Sequence, residues 1–535
     1  LAAAKLAPST ETASESSPGP VASASKPRLL DWTGRDFLLI SVDALRADHV
    51  GAYGYSRKTT PNIDALARNG VVFERAYCAM PHTSYSVTSL MTGKYMRPLL
   101  LQDTGQDSET LAGLMRVYGY RSAGFYPPAV FTIDPDRFGW VESRGLDFEY
   151  RKVEYASAPR RVDQVKAYLD QADPAAPRLL WVHLFEPHEP YESHPDHEFG
   201  DRDIDRYDSE IAFADHAVGE LVSLVRSSRP RTVVMITADH GEEFGEHGGY
   251  YHGTTVFEEQ VRVPLIVSAD GLQPRRVRQP VQLVDLVPTL LRSFDAPASP
   301  RHRGRDLGPS LAGAEDGDGF AFCESDDHTM LAQRDLRLVC QRKVDACALY
   351  DLAADPAQRT NVSALRVEEF QQMRKRLRDF AGSHGRYELA GARQEGRSLP
   401  PALRRGMAGD GDAAADVAAL LDDADVVLRR KAAEVLFELH RPETAAALRL
   451  ALSRDEDDTV RRWCAVALTR MGQGAPRAGE LMEDPELSWR RLAALAFAEA
   501  GDERGEAVLV AWWTEGVGPF ERAREVVDAL GNIKA

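Results

Sequence analysis

Residues 80–93 read Met-Pro-His-Thr-Ser-Tyr-Ser-Val-Thr-Ser-Leu-Met-Thr-Gly. A hydroxyl, Thr83, stands just ahead of an apolar, helix-like run that a glycine closes. Upstream, Asp36–Val42 is a nearly unbroken apolar run, as expected of a strand buried on both faces, and Asp43 follows it. Far downstream the β-branched run Arg231–Thr237 leads into Ala238-Asp239-His240-Gly241. A hydroxyl at a helix start, two aspartates and several histidines are the parts of a metal-activated nucleophile.

Outward from these segments, strands and helices alternate. Thr60-Pro61-Asn62 opens a helix through Leu66, with proline in the first turn. Thr110–Tyr118 reads as a helix, Arg178–Leu184 as a strand, Tyr207–Arg226 as a long amphipathic helix and Val263–Ser268 as a strand. This alternation predicts an α/β domain with a central, mostly parallel sheet. From Ala321 to Tyr350 the texture changes to short strands, followed by a helix through about Phe380, which predicts a small antiparallel subdomain completing the unit. The expected division is a disordered Ala/Ser/Pro-rich tether over 1–30, a catalytic domain over 31–382, a Gly/Arg/Pro-rich linker over 383–411 and helical repeats over 412–535.

The repeats share one theme. Asp425-Val-Val-Leu-Arg-Arg-Lys-Ala-Ala, Asp458-Thr-Val-Arg-Arg-Trp-Cys-Ala and Glu486-Leu-Ser-Trp-Arg-Arg-Leu-Ala-Ala place their second arginine at 430, 462 and 491, spacings of 32 and 29. Paired helices with this theme resemble HEAT-type solenoids of short period. They are expected to form either a concave docking surface for a protein partner or a helical cap on the catalytic domain.

With 535 residues the chain exceeds one ordinary core. Its formal charge of −17 argues against nucleic acid or an anionic membrane as the main partner. The chain begins at Leu1, and with the tether this carries the expectation of an exported protein, periplasmic or tethered through a removed N-terminal segment. Five cysteines are too few for a disulfide scaffold; one bridge among Cys323, Cys340 and Cys347 is open, and free buried thiols are the default.

Asp43 closes a strand, where open α/β sheets gather their ligands. Asp239 and His240 offer a hard oxygen and an imidazole, a mixed set suited to a divalent ion. His188, in Trp-Val-His-Leu-Phe-Glu-Pro-His-Glu-Pro-Tyr, and His252, in Tyr-Tyr-His-Gly, each follow a strand and can contact an ester oxygen or pass a proton to a leaving group. His183 could join them unless strand alternation buries it. Asp48 and His49 lie deeper in the turn and could be mere surface groups.

The order of motifs resembles the sulfatase family of the alkaline phosphatase superfamily. It runs from Tyr53-Gly54-Tyr55 and Thr60-Pro61-Asn62-Ile63-Asp64 through Leu90-Met91-Thr92-Gly93, Pro187-His188-x-Pro190-Tyr191 and Ala238-Asp239-His240-Gly241 to Arg262-Val263-Pro264-Leu265, and Leu349–Pro356 matches the closing subdomain. The resemblance covers about residues 35–380. It implies an alkaline-phosphatase/sulfatase-like sandwich followed by the all-α repeats.

Two departures stand out. The usual sulfatase carries Cys or Ser-x-Pro-x-Arg, whose first residue becomes formylglycine. Counting back from Thr92-Gly93 puts that position at Thr83, with Tyr85 for the proline and Val87 for the arginine. Threonine cannot give the aldehyde. Thr83, Ser86 and Val87 are instead similar to the threonine nucleophiles of the family's phosphoethanolamine and lipoteichoic-acid branches. The second departure is Ala44, where a second aspartate is usual, which puts a full calcium-type oxygen cage in doubt.

An alcohol ionises near pKa ~15–16, and zinc lowers that of bound water from about 15.7 to about 7. A comparable effect on Thr83 would be worth about 11–12 kcal/mol. The expected site is one divalent ion (Zn, Mn, Mg or Ca) on Asp43, Asp239, His240 and Thr83, with His188 and His252 on the ester. Ser84 and Ser86 are alternative hydroxyls, and Cys78 falls five residues early.

The leading function is therefore a hydrolase or transferase acting on a phosphate or sulfate ester of a small molecule, lipid or glycan, through a phosphothreonine-type intermediate. A sulfate-ester hydrolase without formylglycine is the first alternative. A degenerate domain serving as a scaffold through its repeats is the second.

Overall fold

The computed structural model describes residues 29–533 apart from 102–103, 133–134, 298, 315–316, 343, 345, 385–399, 408 and 516–519. The expected tether lies almost wholly outside the described residues.

The first domain is built on an eight-stranded sheet. Its strands are β1 (Phe37–Val42), β2 (Val71–Phe73), β3 (Arg121–Tyr126), β4 (Tyr150–Val153), β5 (Arg178–Leu184), β6 (Val233–Ala238), β7 (Leu265–Ser268) and β8 (Arg275–Val277). Across the sheet the order is β8-β2-β7-β6-β1-β5-β3-β4. Only β7 opposes its neighbours β6 and β2, so the sheet is mixed and mostly parallel as predicted. β1, β5 and β6 are buried along their whole length, which is why they read as continuous apolar runs. In register, Val42 pairs with Leu184 on one side and Ala238 on the other. The three central strands thus end level, and the residues after them share one rim.

Several boundaries shift. The long helix starts at Asp203, before the expected Tyr207, and runs to Ser228. The strand read as Arg231–Thr237 spans Val233–Ala238, so Asp239 follows it directly. Val263–Ser268 is interrupted at Pro264: Arg262–Val263 pairs with Ala76–Tyr77, and Leu265–Ser268 joins the main sheet.

Helix α1 (Thr83–Thr92) is buried in every residue although seven of its ten side chains carry hydroxyls. Two of those hydroxyls bond within the helix, Thr88 Oγ1 donating to Ser84 O at 2.6 Å and Thr92 Oγ1 to Thr88 O at 2.8 Å. Gly93 ends the helix at φ 65°, the left-handed position that favours glycine.

The closing subdomain is a four-stranded antiparallel sheet, β9 (Ala321–Glu324), β10 (His328–Gln333), β11 (Leu336–Gln341) and β12 (Ala346–Asp351), with helix α2 (Val367–Ala381) following it. Glu324 N donates to Ala79 O at 3.1 Å, tying this sheet to the segment entering α1. Of the five cysteines, Cys340 and Cys347 form a disulfide across β11 and β12, while Cys78, Cys323 and Cys464 are free and buried.

Within the stretch expected as linker, residues 385–399 are outside the description and Pro401–Met407 is a helix packed on the first repeat. The repeats stack helices α3 (Val426–Leu439), α4 (Asp458–Arg470) and α5 (Leu487–Glu499) in one layer over a core of their own. The paired arginines serve that stack. Arg429 reaches Asp455, Arg430 reaches Asp457 at the start of the next helix, and Arg462 reaches Asp484 beyond it. Arg461 and Arg490 bond the carbonyls of Asp455 and Asp484, and Arg491 lies 5.0 Å over the Trp512 ring. The recurring Arg-Arg signature is a staple between successive units.

Candidate active site

Asp43 and Asp239 leave the ends of β1 and β6 side by side, both buried. Each carboxylate has one oxygen satisfied and one without a hydrogen-bond partner. Asp239 Oδ1 accepts from Ala44 N at 3.2 Å and from His240 N at 3.0 Å, while its Oδ2 accepts none. Asp43 Oδ2 lies 3.3 Å from His183 Nε2, while its Oδ1 accepts none.

A chain of donors fixes that arrangement. Trp181 Nε1 donates to Ser41 Oγ at 2.9 Å, and the Ser41 hydroxyl meets His183 Nδ1 at 2.8 Å. Serine's proton is then free for Nδ1, and His183 Nε2–H is left to donate to Asp43. Burial alone would raise the Asp43 carboxyl, but the His183 hydrogen bond and the surrounding imidazoles hold it well below the usual range. His183, for which both an ester-facing place and burial in its strand were open, is fully buried and supports Asp43 from behind.

His240 completes the cluster. Its Nδ1 donates to Gly241 O at 2.9 Å, which leaves the Nε2 lone pair facing the open oxygens, 3.4 Å from Asp239 Oδ2 and 3.6 Å from Asp43 Oδ1. Gly241 is required there, since a Cβ would lie 2.1 Å from Glu259 O. Thr83 Oγ1 stands 3.0 Å from His240 Nε2 at the start of α1, where helix-end N–H groups favour an anion. Two orphaned carboxylate oxygens and one imidazole lone pair, all buried and converging, are an unfavourable arrangement without a cation and a suitable one with it.

Ser86 Oγ donates to Asp239 O at 2.6 Å, and Ser84 is completely buried. Cys78 is buried and lies outside this cluster. His188 and His252 are half-buried neighbours of it. The His252 ring stacks on His240 at 4.2 Å and meets His188 edge-on at 5.2 Å. Burial opposes a charge on His252, but Glu242 pushes it up to about 9. His188, Glu189 and His252 bring ligand-type atoms within 4.8 Å of one another, so the two histidines share their corner with a carboxylate.

The sulfatase family profile matches residues 35–296, and a HEAT-repeat profile matches residues 414–495. Residues 35–296 are a sulfatase-family domain. The ulvan-active sulfatase of Formosa agariphila is 24% identical over 329 residues, covering 51% of this chain and 64% of that protein. The putative transferase YhbX of Escherichia coli is 24% identical over 245 residues, covering 44% and 43%. The chain therefore spans about two thirds or less of these relatives. Among solved structures, a 2-O GAG sulfatase superposes with a TM-score of 0.55 at 19% identity, over 67% of this chain and 94% of that one, a likeness of fold.

Where the sulfatase pattern calls for Pro and Arg after the nucleophile, Tyr85 and Val87 are core residues. Tyr85 packs edge-on against Phe138 at 4.8 Å and Val87 is 2% exposed. Where it calls for a second aspartate, Ala44 takes a positive φ of 53° and contributes its backbone N–H to Asp239. The sulfatase domain also uses residues that the sequence did not single out. Ser41 orders the His183–Asp43 contact, and Glu242 accepts from His252. Their signal is spatial, through strand register and a turn, and no local spacing announces it. His49, read as a surface group, is buried and held by Asp208 at 2.6 Å, whereas the Asp48 side chain is half exposed beside Arg46.

Proposed function

We propose that the chain cleaves or transfers a phosphate ester through Thr83, with one divalent ion on Asp43, Asp239 and His240. The observation that carries this reading is the placement of a hydroxyl that cannot become formylglycine 3.0 Å from His240 Nε2, beside two open carboxylate oxygens. When bound, the ion supplies the acidification of the Thr83 hydroxyl and neutralises charge on the ester.

The chain's own residues do the rest. His183 and Ala44 hold the aspartates so that one oxygen of each faces the ion. Thr83 gives its hydroxyl proton to solvent, its Oγ1 attacks phosphorus, the bond to the leaving alcohol breaks, and the phosphoryl group remains on threonine. His188 and His252 meet the ester and leaving oxygens, and Glu242 keeps the His252 ring oriented and protonated to give its Nε2 proton to the leaving alcohol. Water or a second alcohol then takes the group from Thr83.

Turnover of an aryl phosphate against the matching aryl sulfate tests the substrate. Preference for phosphate, lost in Thr83→Ala with the fold intact, is expected. A strong sulfate preference would instead favour the formylglycine-free sulfatase reading, which the name of the Formosa agariphila relative supports.

A further inference from the structure

Glu242 is completely buried, and among the described residues no lysine or arginine pairs with its carboxylate. Its Oε1 accepts from His252 Nδ1 at 3.0 Å, and its Oε2 accepts from the Tyr191 hydroxyl at 2.8 Å. The backbone around it is pinned as well. Glu242 N donates to Glu259 O at 2.8 Å, and Arg46 Nη1 donates to Glu242 O at 3.0 Å. A buried carboxylate is costly unless paired, and here both oxygens are spent on two loops that carry the ester-facing histidines. Tyr191 closes the Pro187–Tyr191 segment that bears His188, and His252 follows the strand Tyr250–Tyr251.

We infer that Glu242 is a positioning residue that locks the His252 ring and, through Tyr191, holds the His188 loop against it. With Nδ1 committed to Glu242, Nε2 is the nitrogen of His252 left to meet a leaving oxygen. The carboxylate fixes the tautomer and the orientation of the ring, in the way a carboxylate orients a catalytic histidine. The inference rests on the ester-facing role proposed for His252. Its consequence is selective: help to the leaving group matters most when the departing alcohol is a poor one.

The experiment compares full-length wild type with Glu242→Gln and Tyr191→Phe on p-nitrophenyl and ethyl esters of the same phosphate group. Glu242→Gln should lower kcat on the ethyl ester by about 100-fold with KM within about threefold, and on the p-nitrophenyl ester by less than about tenfold. Tyr191→Phe should show the same selectivity at smaller size, and both variants should retain the wild-type ion content. Equal losses on both esters, loss of the ion, or an unchanged kcat would overturn the assignment. A direct readout does not depend on any variant of Glu242 folding. Wild type should give a downfield imidazole N–H proton signal that disappears in His252→Ala and shifts in Tyr191→Phe, and its absence in wild type would also overturn the assignment. Failure of Thr83→Ala to abolish turnover would sink the proposed reaction while leaving this signal in place, so the two failures are distinguishable.

Discussion

At the ends of β1 and β6, Asp43 Oδ1 and Asp239 Oδ2 are buried and accept no hydrogen bond. At the seams between repeats, Asp455 and Asp457 have both oxygens occupied. Asp457 accepts from Val460 N and from two nitrogens of Arg430, and Asp455 from Asp457 N and two nitrogens of Arg429. Both regions are rich in short acidic and basic motifs, and the motifs alone look equally functional. The difference lies in valence. At the seams every carboxylate oxygen is taken, which suits a staple, while at the strand ends two open oxygens converge beside one imidazole, which suits a cation.

The largest effect that could break this comparison is at the nucleophile. Thr83→Ala should reduce kcat by at least about 10⁴-fold with unchanged circular dichroism, since removal of an attacking group leaves only binding and electrostatic terms. Measurable turnover at wild-type rate would reassign the hydroxyl.

Next comes the open-valence cluster. At an ion concentration about 100 times its Kd, wild type should gain about 2.7 kcal/mol of stability, read as a fall in Tm when EDTA is added. Asp239→Asn should bind no ion and show no EDTA shift. An equal shift in both proteins would place the ion elsewhere.

The repeats should respond in the opposite manner. Asp457→Ala removes a helix cap and an inter-repeat staple together, so it should cost about 1–2 kcal/mol in denaturant unfolding. It should leave kcat and ion content unchanged. A kcat effect would couple the repeats to the site.

The smallest effect concerns pH. Burial, together with nearby Glu186 and Glu192, pushes Glu210 up to about 8 despite a hydrogen bond from Glu192 N. Because the folded state holds this proton more tightly, its contribution is present below the ordinary carboxyl range and is lost as pH rises through about 8. Glu210→Gln should therefore flatten the decline of Tm between mildly acidic and alkaline pH, and an unchanged slope would refute the assignment.

Much of the fold was legible because its signals are local. β1, β5 and β6 announce themselves as apolar runs, and Asp43, Asp239 and Thr83 stand directly at the ends of such runs or before a helix. The repeat period was legible in the recurring Arg-Arg pair, but its meaning was not. Only the stack reveals that Arg430 and Arg462 end on the next unit's acids. His183 looked like a strand residue to be buried, and it is, but its value depends on Ser41 across the strand pair. Glu242 was one of two adjacent glutamates in Asp-His-Gly-Glu-Glu, and nothing in their order distinguishes the one that backs His252 from Glu243, which accepts from His247 N, Gly249 N and Gln260 Nε2. Supporting residues are defined by who lies opposite them, a property of register and turns.

The central claim is that Thr83 carries the transferred group. Mass spectrometry of the peptide containing residues 80–93, after brief exposure to an aryl phosphate and acid quench, tests it most directly. The account predicts a phosphoryl adduct on Thr83 that is absent from Thr83→Ala. An adduct on Ser84 or Ser86, or turnover with no covalent adduct on this peptide, would contradict it.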